Sequence, residues 1–454
     1  MSKFRWIEFL ATKLQSTMFQ VIGAGVLVLA ACRSVQEPVL DPGWSELDAA
    51  QPLGKAACID LALRSAPNAA AWQARTRAAQ AALSQAGRLP NPDLELAFEE
   101  IDAFHNHARP FVQTSSLAYA LEALAGRRRK QAAANFDALA EEASLAVDRQ
   151  SIAAAVSLAY DQLWFARERV DRIEDQLALA RQDREATGDL IAAGLLAQVD
   201  QQKADTEVLA VQAEWAHART DARVLELELA FALGFERPVE LTLADPPAPV
   251  TDFEAFDLEG MLRTAADQRP ELVAAKARYQ AQLERLHLEA SGLRFLPRVN
   301  LGYRTESGKP TLVGTLGVEL PVFDTGKDAL AAQNAALLGA AAEMRRAANQ
   351  VASEVCRAEA AFRAARSYLE EYAQPLAEQR DELAIQTVEL FRAGEVSFRE
   401  MLSARRDAVQ EQIRLLDAQA ALAAARVQLE AALGSYSVPT KLAPESLPAS
   451  DLER

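Results

Sequence analysis

Apolar residues recur in alternating steps of four and three along much of the chain. Val351, Val355, Ala358, Phe362, Ala365, Leu369 and Tyr372 form one such run, and Leu163, Ala166, Val170, Ile173, Leu177 and Ala180 a second. Val409, Ile413, Leu416, Ala420, Ala423 and Val427 form a third. A seven-residue repeat keeps one stripe facing a partner helix, so these runs predict coiled-coil packing, with alanine allowing close approach. They predict long helices over about 127–192 and 327–392, each nearly 100 Å at 1.5 Å per residue. A glycine turn and a returning helix follow each, over about 196–233 and 396–433. Pro375 predicts a kink in the second long helix. Shorter helices are expected over 58–88 and 258–294, closed by Leu89-Pro90-Asn91-Pro92 and Leu296-Pro297.

A different period separates these helices. Leu94, Leu96 and Phe98 alternate with Asp93, Glu95 and Glu99, and Val299 to Glu306 alternates likewise. Leu312, Gly314, Leu316, Val318 and Leu320 continue the pattern after a turn at Ser307–Pro310, and a weaker strand is expected over 112–122. A period of two predicts strands with one apolar face. Both a half-buried soluble sheet and a transmembrane barrel fit. Four strands cannot close a barrel, and an open edge cannot sit in lipid. If these strands span a membrane, several chains must supply them; three would give twelve strands, an acceptable even number.

The two sets of elements follow one plan. Gly126 pairs with Gly326, Ala193-Gly194 with Ala393-Gly394, Ala204 with Ala404 and Leu233-Gly234 with Leu433-Gly434, at one ungapped offset of about 200 residues. Upstream, Pro67 matches Pro270 and Leu89-Pro90 matches Leu296-Pro297. The expected organisation is a first repeat over 58–234, a linker over 235–257 and a second repeat over 258–434. Residues 32–57 and 435–454 form terminal arms.

Composition narrows the function. The 454 residues carry a formal charge of −16, which argues against a nucleic-acid partner. Three cysteines and four histidines exclude a disulfide scaffold and a His/Cys-rich metal enzyme. Lys3, Arg5 and Lys13 precede an apolar run from Met18 to Ala31, too short for a comfortable membrane span. It ends Leu29-Ala30-Ala31-Cys32, which resembles a lipoprotein signal over 1–31 with Cys32 as the acylated residue. Cleavage would remove Lys3, Arg5, Lys13 and Glu8 and take the charge from −16 to −18. Arg33 rather than Asp after the cysteine implies sorting to the outer membrane.

Taken together, the repeated halves and the stretch Pro375–Ala404 resemble the TolC-type outer-membrane efflux proteins. Leu390-Phe391-Arg392-Ala393-Gly394-Glu395-Val396-Ser397-Phe398-Arg399-Glu400 is similar to that family's signature at the periplasmic helix–turn–helix tip. In the first half Ile191 replaces the aromatic and Ala197 the Ser. The resemblance implies a mainly α chain with a membrane β-barrel portion. It implies a homotrimer with a twelve-stranded β-barrel and a twelve-helix α-barrel, lipid-anchored in the bacterial outer membrane. It also implies docking to a periplasmic adaptor and an inner-membrane RND pump, with no reaction and no cofactor. Gly194, Asp200, Arg392, Gly394, Ser397 and Glu400 would form the docking tips. Gln85 to Leu94 is similar to CzcC-type members, which work with heavy-metal pumps, whereas a lipoprotein cysteine is commoner in exporters of organic compounds. A periplasmic coiled-coil lipoprotein without a pore is the rival reading.

Other candidate chemistry is sparse. Asp183, Asp189, Asp381 and Glu389 precede the tips and would form carboxylate rings if they faced a symmetric lumen, alongside Glu185 and Glu382. Together with Asp93, Glu95, Glu99, Glu306 and Glu319 on the strands, only partly offset by Arg304, they imply a cation-preferring duct. His105, His107 and Asp102 fall in the first inter-strand loop and form no complete metal set. His217 and His287 are expected on polar helix faces, and Cys58 and Cys356 as buried small hydrophobes. Arg127-Arg128-Arg129-Lys130 opens a helix, either near a membrane interface or as a solvated charge run.

Overall fold

The structure is a computed structural model that describes residues 52–65, 68–89, 91–99, 112–235, 238–244, 246–247, 257–293, 296–306, 309–320 and 322–436. In chain order the elements are α1 (Lys55–Ser65), α2 (Asn68–Ala86), β1 (Asp93–Glu99), β2 (Val112–Ala120), α3 (Leu121–Ala125), α4 (Arg127–Ala192) and α5 (Gln198–Ala232). Then follow α6 (Leu258–Gln268), α7 (Pro270–Ala290), β3 (Arg298–Glu306), β4 (Lys309–Gly317) and α8 (Lys327–Tyr368). A π-helical turn (Leu369–Ala373), α9 (Gln374–Ala393) and α10 (Phe398–Leu433) complete the chain.

The 66-residue α4 runs as the heptads predict, roughly 100 Å without interruption. The helix expected over 258–294 is two helices. Arg269, at ψ 118°, leaves the helical region because the ring of Pro270 disfavours it there. The helix expected over 58–88 also divides, into α1 and α2. The second long helix is not bent at Pro375 alone. A π turn precedes it, and the proline sits in the first turn of α9, where its missing N–H costs least.

That turn shifts the seam. Ile152, Val156, Ala159 and Leu163 on α4 correspond to Val351, Val355, Ala358 and Phe362 on α8, a separation of 199. Beyond the turn, buried Ile173, Leu177 and Thr187 correspond to Ala373, Ala377 and Thr387, a separation of 200. One residue is inserted between these sets, and the π turn houses it. The uniform offset expected between the halves is therefore broken here. Tyr372, placed in the heptad run by sequence, is rotated out and 62% exposed, and Ala373 takes the buried place.

Each hairpin base is closed by a short helix. Cys58 and Ala62 of α1 pack with Val156, Tyr160, Leu163, Leu229 and Leu233. Met261 and Ala265 of α6 pack with Val355, Phe362, Leu422 and Leu429. Lys55 reaches the buried Asp161 at 2.7 Å in the first base. In the second, buried Arg269 bonds the Ala431 carbonyl at 2.8 Å, Glu354 at 2.5 Å and Glu271 at 3.0 Å.

The four strands form one antiparallel sheet in the order β1-β2-β3-β4. Pairing carries the sequence alternation across every strand. Leu94, Leu117 and Leu301 share one row, Leu96, Tyr303 and Leu312 the next, and Tyr119, Val299 and Leu316 a third on the same face. Much of that face is exposed, with Leu94 at 61% and Leu312 at 81%, while Tyr119 and Val299 are half-buried. Asp93, Glu95, Ser116, Asn300, Arg304 and Thr315 occupy the alternate positions. Lys309 and Pro310, expected in the turn, pair within β4, and Glu319 lies beyond its end. Arg298 pairs at the same parity as Arg304, so the polar face is closer to charge balance than the sequence suggested.

Candidate functional site at the hairpin tips

Both hairpins reverse by one backbone device. At the first, the Gly194 N–H donates to the Ile191 carbonyl and the Leu195 N–H to the Leu190 carbonyl. At the second, Gly394 donates to Phe391 and Glu395 to Leu390. These are the paired bonds of a Schellman motif, which needs a left-handed residue. Gly194 has φ 75° and Gly394 φ 78°, and an added Cβ at either would meet nothing within 4 Å. The glycines therefore serve conformation and leave an open, exposed apex.

The helices leaving the apices are capped unequally. At α10 the Ser397 hydroxyl accepts the Glu400 N–H at 3.3 Å, and the Glu400 carboxylate accepts the Ser397 N–H at 2.8 Å, a reciprocal capping box. At α5 Ala197 has no side-chain acceptor, and only the return bond remains, from the Ala197 N–H to Asp200 at 3.3 Å. Asp200 also accepts from Lys203 at 3.4 Å and from Arg399 at 3.1 Å. Arg399 lies on α10, so this contact ties the first tip to the second. Arg406 and Glu207, seven residues further along each helix, repeat the tie at 3.4 Å.

These bonds set the carboxyl chemistry. Burial pushes Asp200 upward, but hydrogen bonds from Ala197, Arg399 and Lys203 and the charge of Arg399 outweigh it and leave its pKa below the ordinary value. Hydrogen bonds from the Ser397 backbone and hydroxyl lower Glu400 likewise.

The other singled-out acids are spread along the helices rather than gathered. Asp183 is half-buried and bonded to Thr187 at 3.5 Å, and Asp381 accepts from Gln412 at 2.8 Å. Asp189 and Glu389 are exposed, as is Arg392. Sequence reasoning missed Arg399 as a tip residue. The signal available was its place between the two capping-box residues.

Cys32, Asp102, His105 and His107 lie outside the described residues. His217 and His287 are exposed on their helices, as expected. Cys58 is buried, which pushes its thiol up to about 11, but Cys356 is exposed on α8, contrary to the sequence expectation, because it follows the buried Val355 around the helix. Among the described residues no group of three or more His, Cys, Asp or Glu could hold a metal ion, and no helix is long and apolar enough to cross a membrane.

Long antiparallel hairpins joined to a small sheet with one apolar face define the protomer fold of outer-membrane channels. The fold matches the outer-membrane channel OprN at a TM-score of 0.70 and 20% identity, over 85% of this chain and 91% of that one. It matches VceC from Vibrio cholerae at 0.66 and 18%, over 84% and 96%, and CusC at 0.67 and 16%, over 88% and 99%. No curated protein sequence matches the chain. Residues 261–435 match the family OEP, Outer membrane efflux protein. The second half thus matches the family of outer-membrane efflux proteins, and the fold over most of the chain is that of solved outer-membrane channels.

Proposed function

We propose that three copies of this chain form the exit duct of a tripartite efflux system. Twelve strands close a barrel in the outer membrane, and twelve helices form a periplasmic tunnel. The chain is two tandem repeats, anchored through an acylated Cys32. Cargo arrives from an inner-membrane RND pump through a periplasmic adaptor that engages the tips at Gly194 and Gly394, and the duct itself supplies no energy. Heavy-metal cations and organic compounds are alternative cargoes.

One observation supports this reading most. Leu94, Leu117, Leu301, Tyr303, Leu312 and Leu316 lie on one face and are exposed, and among the described residues β1 and β4 each pair on one side only. A soluble sheet would bury that face. A lipid-facing barrel needs it bare and needs further copies to complete the edges. The 66-residue α4 would reach roughly 100 Å from such a barrel.

Planar-bilayer conductance of the purified protein tests the reading. Stable steps are expected, with cation preference in a KCl gradient at low salt, where fixed charges are least screened. The balance at Arg298 and Arg304 moves the source of that preference from the strands to the helical acids. Absence of conductance would favour the poreless lipoprotein.

A further inference from the structure

The run Arg127-Arg128-Arg129-Lys130 is conspicuous in a chain of formal charge −16. The sheet register gives its place. Ala120, Arg298 and Gly317 share a row at one end of the sheet, and β1 begins near that end, with Asp93 opposite Ala118. Arg127 Nε donates to the Gly87 carbonyl at 2.7 Å, so the basic run sits beside the segment leading into β1. Arg88, the run itself and Arg298 therefore gather at the helical margin of the sheet, away from the β1–β2 and β3–β4 connections. Arg129 is engaged with Glu284 at 3.4 Å. Arg88 and Arg128 are exposed and form no ion pair among the described residues. Acids are present on this margin too: Glu319 and Asp328 are exposed, and Asp324 accepts the Gly326 N–H at 2.8 Å.

A second observation comes from the segment between β4 and α8. Leu320, Val322 and Phe323 are 73%, 68% and 100% exposed. Leu312, Leu316, Val318, Leu320 and Val322 all hold alternate positions, so the segment extends the pattern of the sheet's apolar face past the last paired residue, Gly317. A fully exposed phenylalanine at the end of an apolar face, with guanidinium groups on the same margin, has the composition of a membrane–water boundary. Aromatic residues settle at headgroup depth there, and arginines find phosphates.

We propose that this margin is a collar for anionic phospholipid headgroups. Val322 and Phe323 enter the acyl boundary, and Arg88 and Arg128 take the phosphates. The proposal rests on the sheet being membrane-embedded. A phospholipid is the occupant because the apolar positions continue the face that would already meet lipid, and the basic groups stand where that face ends.

The test is thermal unfolding of the full chain in detergent, titrated with short-chain phosphatidylglycerol, phosphatidylcholine or inorganic phosphate. Phosphatidylglycerol should bind most tightly, and added salt should weaken it. Each arginine lost should weaken it roughly fivefold, so a double variant, Arg88→Gln with Arg128→Gln, should lose about 25-fold and respond to phosphatidylcholine as before. Phe323→Ser should weaken both lipids. Equal responses to the two lipids, an equal response to inorganic phosphate, or undiminished phosphatidylglycerol binding in the double variant would each overturn the collar. Conductance in pure phosphatidylcholine separates the two readings: if present without a phosphatidylglycerol preference, it leaves the duct and removes the collar. Its absence there removes the duct and the collar with it.

Discussion

The two hairpins use the same parts and differ at two places. The first rises in one unbroken 66-residue helix and ends in a half-capped tip. The second is interrupted by a π turn and Pro375 and ends in a full capping box. Regularity in the shaft thus goes with a weaker tip, and an irregular shaft with a stronger one. The tie from Arg399 to Asp200 joins the two at the apex. Asp200 has no serine at its N-cap to bond, and Arg399 takes up part of its remaining capacity. The lesson is that a missing cap in one hairpin is offset by a contact to its neighbour, so the tips hold as a pair.

The largest break in this comparison should come at the bases. Arg269→Leu leaves Glu354 and the half-buried Glu271 without their partner and should lower stability by about 3 kcal/mol in thermal unfolding. Arg167, which bonds Glu226 at 2.8 Å and the Leu241 carbonyl at 2.7 Å in the first half, is far more exposed. Arg167→Leu should cost only about 1 kcal/mol. Equal losses would mean the halves are equally anchored.

Deleting Glu371 removes the residue housed by the π turn. The shaft should become continuous α-helix, and amide exchange over 369–376 should slow about tenfold, or ~1.4 kcal/mol of local stability. Unchanged exchange would mean the interruption belongs to Pro375 alone. Gly394→Asp forces a side chain into a left-handed position at a cost of about 1 kcal/mol. On the proposed reading, adaptor cross-linking at the tip should fall with oligomer and barrel intact; full efflux and cross-linking would overturn docking at this tip.

Ala197→Ser should complete the first capping box and raise stability by roughly 0.5–1 kcal/mol, making the tips alike. No gain in the melting midpoint would show that Asp200 is already fully engaged. The smallest effect is a pH step. Asp200 and Glu400 have folded pKa values below the ordinary carboxylate range, so their stabilisation is complete above that range and is lost as pH falls through the lowered values. Tip-to-tip distances from spin labels should widen in that acid window. Arg399→Gln should weaken the step by removing the partner from α10.

The sequence made the shafts legible because Gly126, Gly194 and Gly394 punctuate long heptad runs, and α4 came out at its expected limits. The π turn was hidden because matching glycines at both ends kept one apparent offset while the core slipped by one residue between Leu163 and Ile173. Tyr372 fitted the heptad arithmetic, and only the extra backbone residue rotates it away. The strand faces were legible from period two alone, but the end of β4 was not, since apolar alternation runs on through Leu320 after pairing stops at Gly317. The tip ligands of Asp200 could not be read from spacing, because that pairing depends on which sides two hairpins turn toward each other.

The bare margins of the sheet bear on how such a chain reaches its destination. Among the described residues β1 and β4 have no strand partner on their outer sides, and much of the apolar face between them is exposed. A solitary copy in water is therefore an aggregation template, and a solitary copy in lipid strands polar backbone in hydrocarbon. Neither solvent suits the single chain. On the proposed reading, closure and insertion would be one event, and a copy in transit would need its edges shielded until then.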